Sequence, residues 1–178
     1  MNLSEYQRAA LRTAGLERAT SLRVAVAGMG LAGEAAEVLE VVFSGDFAKL
    51  EKELGDVMWY VAETASSFGV DLGAVVVPDP DDDPDEYLEV LHRGYAVRLA
   101  IHAGMLTDYL KKLVGHGHEP DVDRVGKGLG LVLRDVMDLS GAAGYDLDEV
   151  CEANVRKLLA RHPNGFTTAG SLLRADEG

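Results

Sequence analysis

Two pairs of acids constrain this chain more than any other feature. Glu34 and Glu37 stand three residues apart, Glu53 and Asp56 stand three apart again, and 15 residues, 38–52, separate the pairs. On an α-helix a spacing of three sets both side chains on one face, about a turn apart. The apolar residues around them keep a helical period: Leu31, Ala35, Val38 and Val42 before the gap, then Leu50, Leu54, Val57, Met58, Val61 and Ala65 after it. Between the two runs, Ser44-Gly45-Asp46 is a turn signal. Two antiparallel helices, near 21–43 and 46–68, could therefore carry four carboxylates to one place. Unpaired and buried together, such charges cost on the order of several kcal/mol each. A hard divalent cation, Mg²⁺ or Mn²⁺, takes oxygen ligands and reverses the sign of that interaction.

The rest of the chain also reads as helix. Ser4 followed by Gln7 has the form of a capping box for a first helix near 4–14, stopped by Gly15. Gly28, Gly30 and Gly33 in the second helix each cost up to about 1 kcal/mol in a helix interior, which a close helix crossing would explain. Three prolines and six acids in PDPDDDPDE, residues 78–86, exclude a helix and make a solvated connector. Beyond it, helices are expected near 86–114, 122–143 and 147–161, with a tail after His162. With 178 residues and 47% hydrophobic composition, one domain with a real core is expected. A net charge of −13 argues against a sequence-independent basic surface for nucleic acid. Cys151 has no partner for an internal disulfide, no leader peptide is recognisable, and no apolar run is long enough for a membrane span, so a cytoplasmic protein is expected.

The two halves resemble each other. KELGDVMW at 52–59 lies over KGLGLVLR at 127–134 at an offset of 75, and Ala27-Gly28-Met29 matches Ala103-Gly104-Met105 at 76. This suggests a duplicated helical hairpin, with one repeat near 22–77 and a degenerate one near 95–150. Opposite Glu34, Glu37, Glu53 and Asp56 the second copy has Leu110, Leu113, Gly128 and Leu131. Complete replacement of the acids argues for a specific task in one half and packing in the other. The expected architecture is all-α: two antiparallel hairpins forming a four-helix-bundle core, with extra terminal helices, in one domain over 1–166 and a tail at 167–178. Tyr60, four residues after Asp56, shares its helix face and could stack on a base. Trp59 is rotated by about 100° and suits the core or a subunit contact. Lys49 and Lys52 suit exposed positions, and His102, His116 and His118 make no metal set with Cys151.

At these residues the sequence resembles the all-α nucleoside triphosphate pyrophosphohydrolases, the superfamily that includes MazG, the dimeric dUTPases and the dCTP pyrophosphatases. The pattern E-x-x-E, gap, E-x-x-D falls on Glu34, Glu37, Glu53 and Asp56, within LAGEAAEVLE and ELGDVMWYVA. Downstream, N-x-x-K-L-x-x-R-x-P falls on Asn154, Lys157, Arg161 and Pro163. Ala36 stands where glycine is more usual. The resemblance covers about 22–166, and the duplication brings it nearer the dUTPase-like branch. It implies Mg²⁺-dependent hydrolysis, with Mn²⁺ as substitute, of a nucleoside triphosphate to the monophosphate and pyrophosphate, for sanitation of the nucleotide pool. The four acids become metal ligands, and Glu34 or Glu37 also takes the proton from water. Asn154 and Lys157 are expected to face the nucleotide, with Arg161 near phosphate, in a homodimer or higher homo-oligomer. Two other classes fit the same residues: a non-catalytic nucleotide or alarmone regulator, and a structural helical interaction protein.

Overall fold

In the computed structural model, residues 1–14, 19–79 and 91–167 are described. Among them are six α-helices and no strand: α1 Leu3–Ala10, α2 Thr20–Ser44, α3 Leu50–Ser67, α4 Leu91–His116, α5 Val122–Ala142 and α6 Leu147–Arg161. The chain is all-α. Gly15, most of the acidic connector and the tail beyond 167 lie outside the described residues.

Helix α2 packs on α3 and α4, and α5 packs on α4 and α3, so the four close a ring. The apolar period accounts for it. Leu31 and Val38 from α2, Leu54, Met58 and Val61 from α3, Leu99 and Leu110 from α4, and Leu129, Leu133 and Val136 from α5 are all buried in one core. Each such side chain contributes about 1.5–3 kcal/mol. Helices α1 and α6 lie against α3 and each other. Each hairpin also carries a buried arginine bridge. Arg23 of α2 donates to Glu63 of α3 at 2.8 and 3.1 Å, and Arg98 of α4 pairs with Asp135 and Asp138 of α5. Arg23 and Arg98 are 75 positions apart, and so are Glu63 and Asp138.

The first helix is capped two residues before the expected place, by Asn2 rather than Ser4, and starts at Leu3. Asn2 accepts from the Glu5 amide at 2.9 Å, and Glu5 accepts from the Asn2 amide at 3.0 Å, which completes a capping box there. Tertiary partners take the residues first assigned to that role. Ser4 donates to Asp71 at 2.6 Å, while Gln7 donates to the Val70 carbonyl at 2.9 Å and accepts from the Leu72 amide at 3.0 Å.

The glycines divide. A Cβ at Gly28 would stand 3.3 Å from Leu110 Cδ1, and Thr107 donates to the Gly28 carbonyl at 2.8 Å, a close crossing with α4. At Gly30 a Cβ would overlap the Tyr60 ring at 2.1 Å. Gly33 has nothing within 4 Å, so no crossing explains it. In the second hairpin, Leu110 is buried, and a Cβ at Gly128 would stand 3.0 Å from Leu106 Cδ1.

Candidate metal centre and active site

The turn after α2 sets the register of the acids. Gly45 closes the helix at φ 78°, Asp46 N–H returns to the Val41 carbonyl at 3.1 Å, and a 3-10 turn at Phe47–Lys49 leads into α3. This brings the first two turns of α3 beside the second half of α2. Oxygen atoms from Glu34, Glu37 and Glu53 then lie within 4.8 Å of one another. Glu53 is 5% exposed, Glu34 is half-buried and Glu37 is exposed.

Asp56 stands outside that set of three. Its Oδ1 accepts from Lys157 Nζ of α6 and, at 3.4 Å, from Asn154 Nδ2. Electrostatically it belongs to the same site. Glu34 is pushed up to about 7, first by desolvation, then by the charges of Asp56, Glu37 and Glu53, with Lys157 acting against them. Lys52 reaches Glu53 Oε1 at 3.4 Å, and Lys49 pairs with Asp46 at 2.7 Å on the surface.

The donor set suits a hard divalent cation. It is all carboxylate oxygen, grouped closely, and short of protein cations, so an ion of the Mg²⁺ type would relieve the like-charge repulsion that adds to desolvation at Glu34.

The remaining predicted residues divide between the site and its support. Asn154 is 3% exposed, with its acceptor end held by Tyr6 at 2.9 Å and its Cβ against Gly55. Tyr60 is half-buried, its ring lying over Gly30 and edge-on to Trp59 at 4.8 Å. Trp59 donates to Thr13 at 3.0 Å. Arg161 ends α6 and is half-buried. His102 pairs with Asp135 at 2.6 Å, while Cys151 is buried and its thiol is pushed up to about 12, chiefly by desolvation. Neither joins a metal set among the described residues.

Sequence reading missed Tyr6 and Gly55. Gly55 carried a signal, a helix breaker inside the acid motif; a lone tyrosine at residue 6 carried none.

An all-α bundle with three clustered carboxylates, a fourth acid paired to lysine and no described helix long and apolar enough to cross a membrane defines a helical, cation-ready carboxylate site. Residues 27–77 match the family model of the MazG nucleotide pyrophosphohydrolase domain. Nucleotide pyrophosphohydrolase is the activity that this match supports, and the resemblance to the all-α superfamily stands on it. No curated protein and no solved structure matches the chain.

Proposed function

We propose that this chain is a Mg²⁺-dependent nucleoside triphosphate pyrophosphohydrolase that removes unwanted (d)NTPs from the cytoplasmic pool. The observation that carries the reading is the approach of Glu34, Glu37 and Glu53 oxygens to within 4.8 Å, inside the matched segment. Bound there, Mg²⁺ would neutralise phosphate oxygens and acidify water. Glu34, Glu37, Glu53 and Asp56 would hold the cation, Asp56 through the Oδ2 that its contact with Lys157 leaves over.

Water oxygen bonds to the α-phosphorus, the bond from that phosphorus to the bridging oxygen breaks, and pyrophosphate leaves. Glu34 or Glu37 accepts the proton of the water. Lys157 would meet phosphate charge, a role supported by its contact with Asp56 and its electrostatic reach to Glu34. Arg161 serves the outer phosphates, Tyr60 offers a ring to the base, and Asn154 acts from beneath, through Asp56.

The second hairpin is a duplicate that lost its acids. Arg23–Glu63 and Arg98–Asp138 support this: Glu63 and Asp138 recur at the offset of 75 that relates α3 to α5, and Arg98 falls one residue short of the 76 that relates α2 to α4. Exposed Leu22 and Met29 on α2, with Val97, Ile101 and Met105 on α4, support association with a second copy.

The test is pyrophosphate release across canonical, deoxy and modified nucleotides with Mg²⁺. Turnover of at least one, lost in Glu53→Gln, is expected. No turnover of any, or full turnover in Glu53→Gln, refutes the proposal.

A further inference from the structure

The N-terminal helix reaches the acid site through one atom. Tyr6 of α1 is 0% exposed, and its hydroxyl lies 2.9 Å from Asn154 Oδ1 in the interior between α1 and α6. Asn154 is itself 3% exposed, and its Nδ2 points at Asp56 Oδ1. The direction of this chain follows from charge. An ionised carboxylate only accepts, so the end of the Asn154 amide that faces Asp56 must be its N–H₂. The carbonyl end then faces away into the core, where it needs a donor. The Tyr6 hydroxyl is that donor. It keeps its proton, because burial foremost, and the nearby Cys151 and Asp56, raise its pKa. Gly55 adds the space: a Cβ there would stand 2.9 Å from Asn154 Cβ, so a residue with a side chain on α3 would lift the amide from Asp56.

We propose that Tyr6 is a positioning residue for the cation and phosphate site, acting through Asn154 to fix the orientation of Asp56. With Tyr6 donating, the amide cannot turn its oxygen to the carboxylate. Asp56 Oδ1 is then engaged by Asn154 and Lys157, which leaves Oδ2 for the cation. Tyr6→Phe keeps the ring and its packing but removes the donor. The buried Asn154 oxygen then has no donor in that direction, the amide is free to rotate, and Asp56 keeps a single anchor. The effect on turnover rests on the function proposed above; the effect on Asp56 does not.

Two measurements on the full chain separate these. Mn²⁺ is titrated into metal-free wild type, Tyr6→Phe, Asn154→Ala and the double variant by calorimetry, and pyrophosphate release is measured on the same proteins. Outer groups that orient ligands commonly contribute ten- to a hundredfold, so Tyr6→Phe is expected to weaken Mn²⁺ binding about tenfold. A fall of similar size is expected in kcat, with KM within about twofold because the nucleotide does not touch Tyr6. Asn154→Ala gives a similar loss, and adding Tyr6→Phe to it costs nothing more, since the two act in series. Mn²⁺ binding within twofold of wild type in Tyr6→Phe, even with a lowered Tm, overturns the proposal, as do additive losses in the double variant. A wild type that binds Mn²⁺ without turning over any nucleotide overturns the proposed function and leaves the titration to decide on Tyr6; one that binds no Mn²⁺ overturns both.

Discussion

Gly55→Ala and Gly33→Ala are the same chemical change on neighbouring helices, and the structure gives them opposite outcomes. Alanine is favoured over glycine in a helix interior by up to about 1 kcal/mol. Gly33 is exposed with nothing within 4 Å, so Gly33→Ala collects that gain unopposed. At Gly55 the new Cβ would stand 2.9 Å from Asn154 Cβ and 3.1 Å from its Nδ2. Carbon atoms settle at about 3.5–4.0 Å, so the surfaces must part by roughly 0.6–1.1 Å. Asn154 Cβ is fixed to the α6 backbone, and yielding therefore means moving α6 from α3 rather than turning a flexible tip. Overpacking of this kind costs about 1–3 kcal/mol, which cancels or exceeds the helical gain. Gly33→Ala should thus exceed Gly55→Ala in stability by about 1–3 kcal/mol, or roughly 2–12 °C at about 2–4 °C per kcal/mol. Thermal unfolding followed by the helical circular dichroism band measures the gap, and pyrophosphate release should fall in Gly55→Ala alone. Equal stability and equal turnover in the two variants would refute the wedge between α3 and α6 and, with it, the placement of Asn154.

Three further outcomes follow from the charges. Without divalent cation, Glu34 titrates near 7 rather than in the ordinary carboxylate range, so its contribution to stability is complete below about 4.5 and is lost as pH rises through about 7. Metal-free Tm should fall between pH 5.5 and 8, more steeply than in Glu34→Gln, and Mg²⁺ should restore it at pH 8; matching slopes in the two proteins would count against the shift. Glu53→Gln should raise the Tm of the metal-free protein by relieving like-charge repulsion while removing its response to Mg²⁺, and an undiminished response would exclude Glu53 from the site. Arg98→Met leaves the fully buried Asp135 with His102 alone, and breaking a buried pair costs about 3–5 kcal/mol, a drop of at least about 6 °C. Pairing it with Asp135→Leu should recover most of that loss, and a single variant that melts within 2 °C of wild type would contradict it.

What could be read from the sequence was whatever depended on period. The acid pairs, the apolar stripes and Ser44-Gly45-Asp46 located α2 and α3 to within a few residues, because each signal is local to a helix or its end. Capping by Ser4 failed for a tertiary reason: Asp71 and the backbone at Val70 and Leu72 compete for Ser4 and Gln7, and Asn2 with Glu5 does the capping instead. The pairing of Asp56 with Lys157 joins residues 101 positions apart, and that of Tyr6 with Asn154 joins residues 148 apart. No pattern along the chain encodes either. Glycines gave a mixed signal for the same reason, since Gly28, Gly30 and Gly33 look alike in sequence and differ only in what faces them.

Among the described residues three acids are buried, Glu53, Glu63 and Asp135, and their surroundings differ in a way that bears on function. Glu63 accepts two hydrogen bonds from Arg23, whose side chain is largely buried with it. Asp135 is held by Arg98 and His102, both mostly out of solvent. Glu53 has Lys52 at 3.4 Å, on the far side of the usual hydrogen-bond range, and that lysine is largely in water. Burial without a close partner is costly for a carboxylate, and Glu34 and Glu37 within 4.8 Å increase the cost. Arginine bridges show that this fold can supply a counterion from a facing helix in either hairpin. At Glu53 it supplies acids instead, and the proposed cation is the positive charge that would balance them.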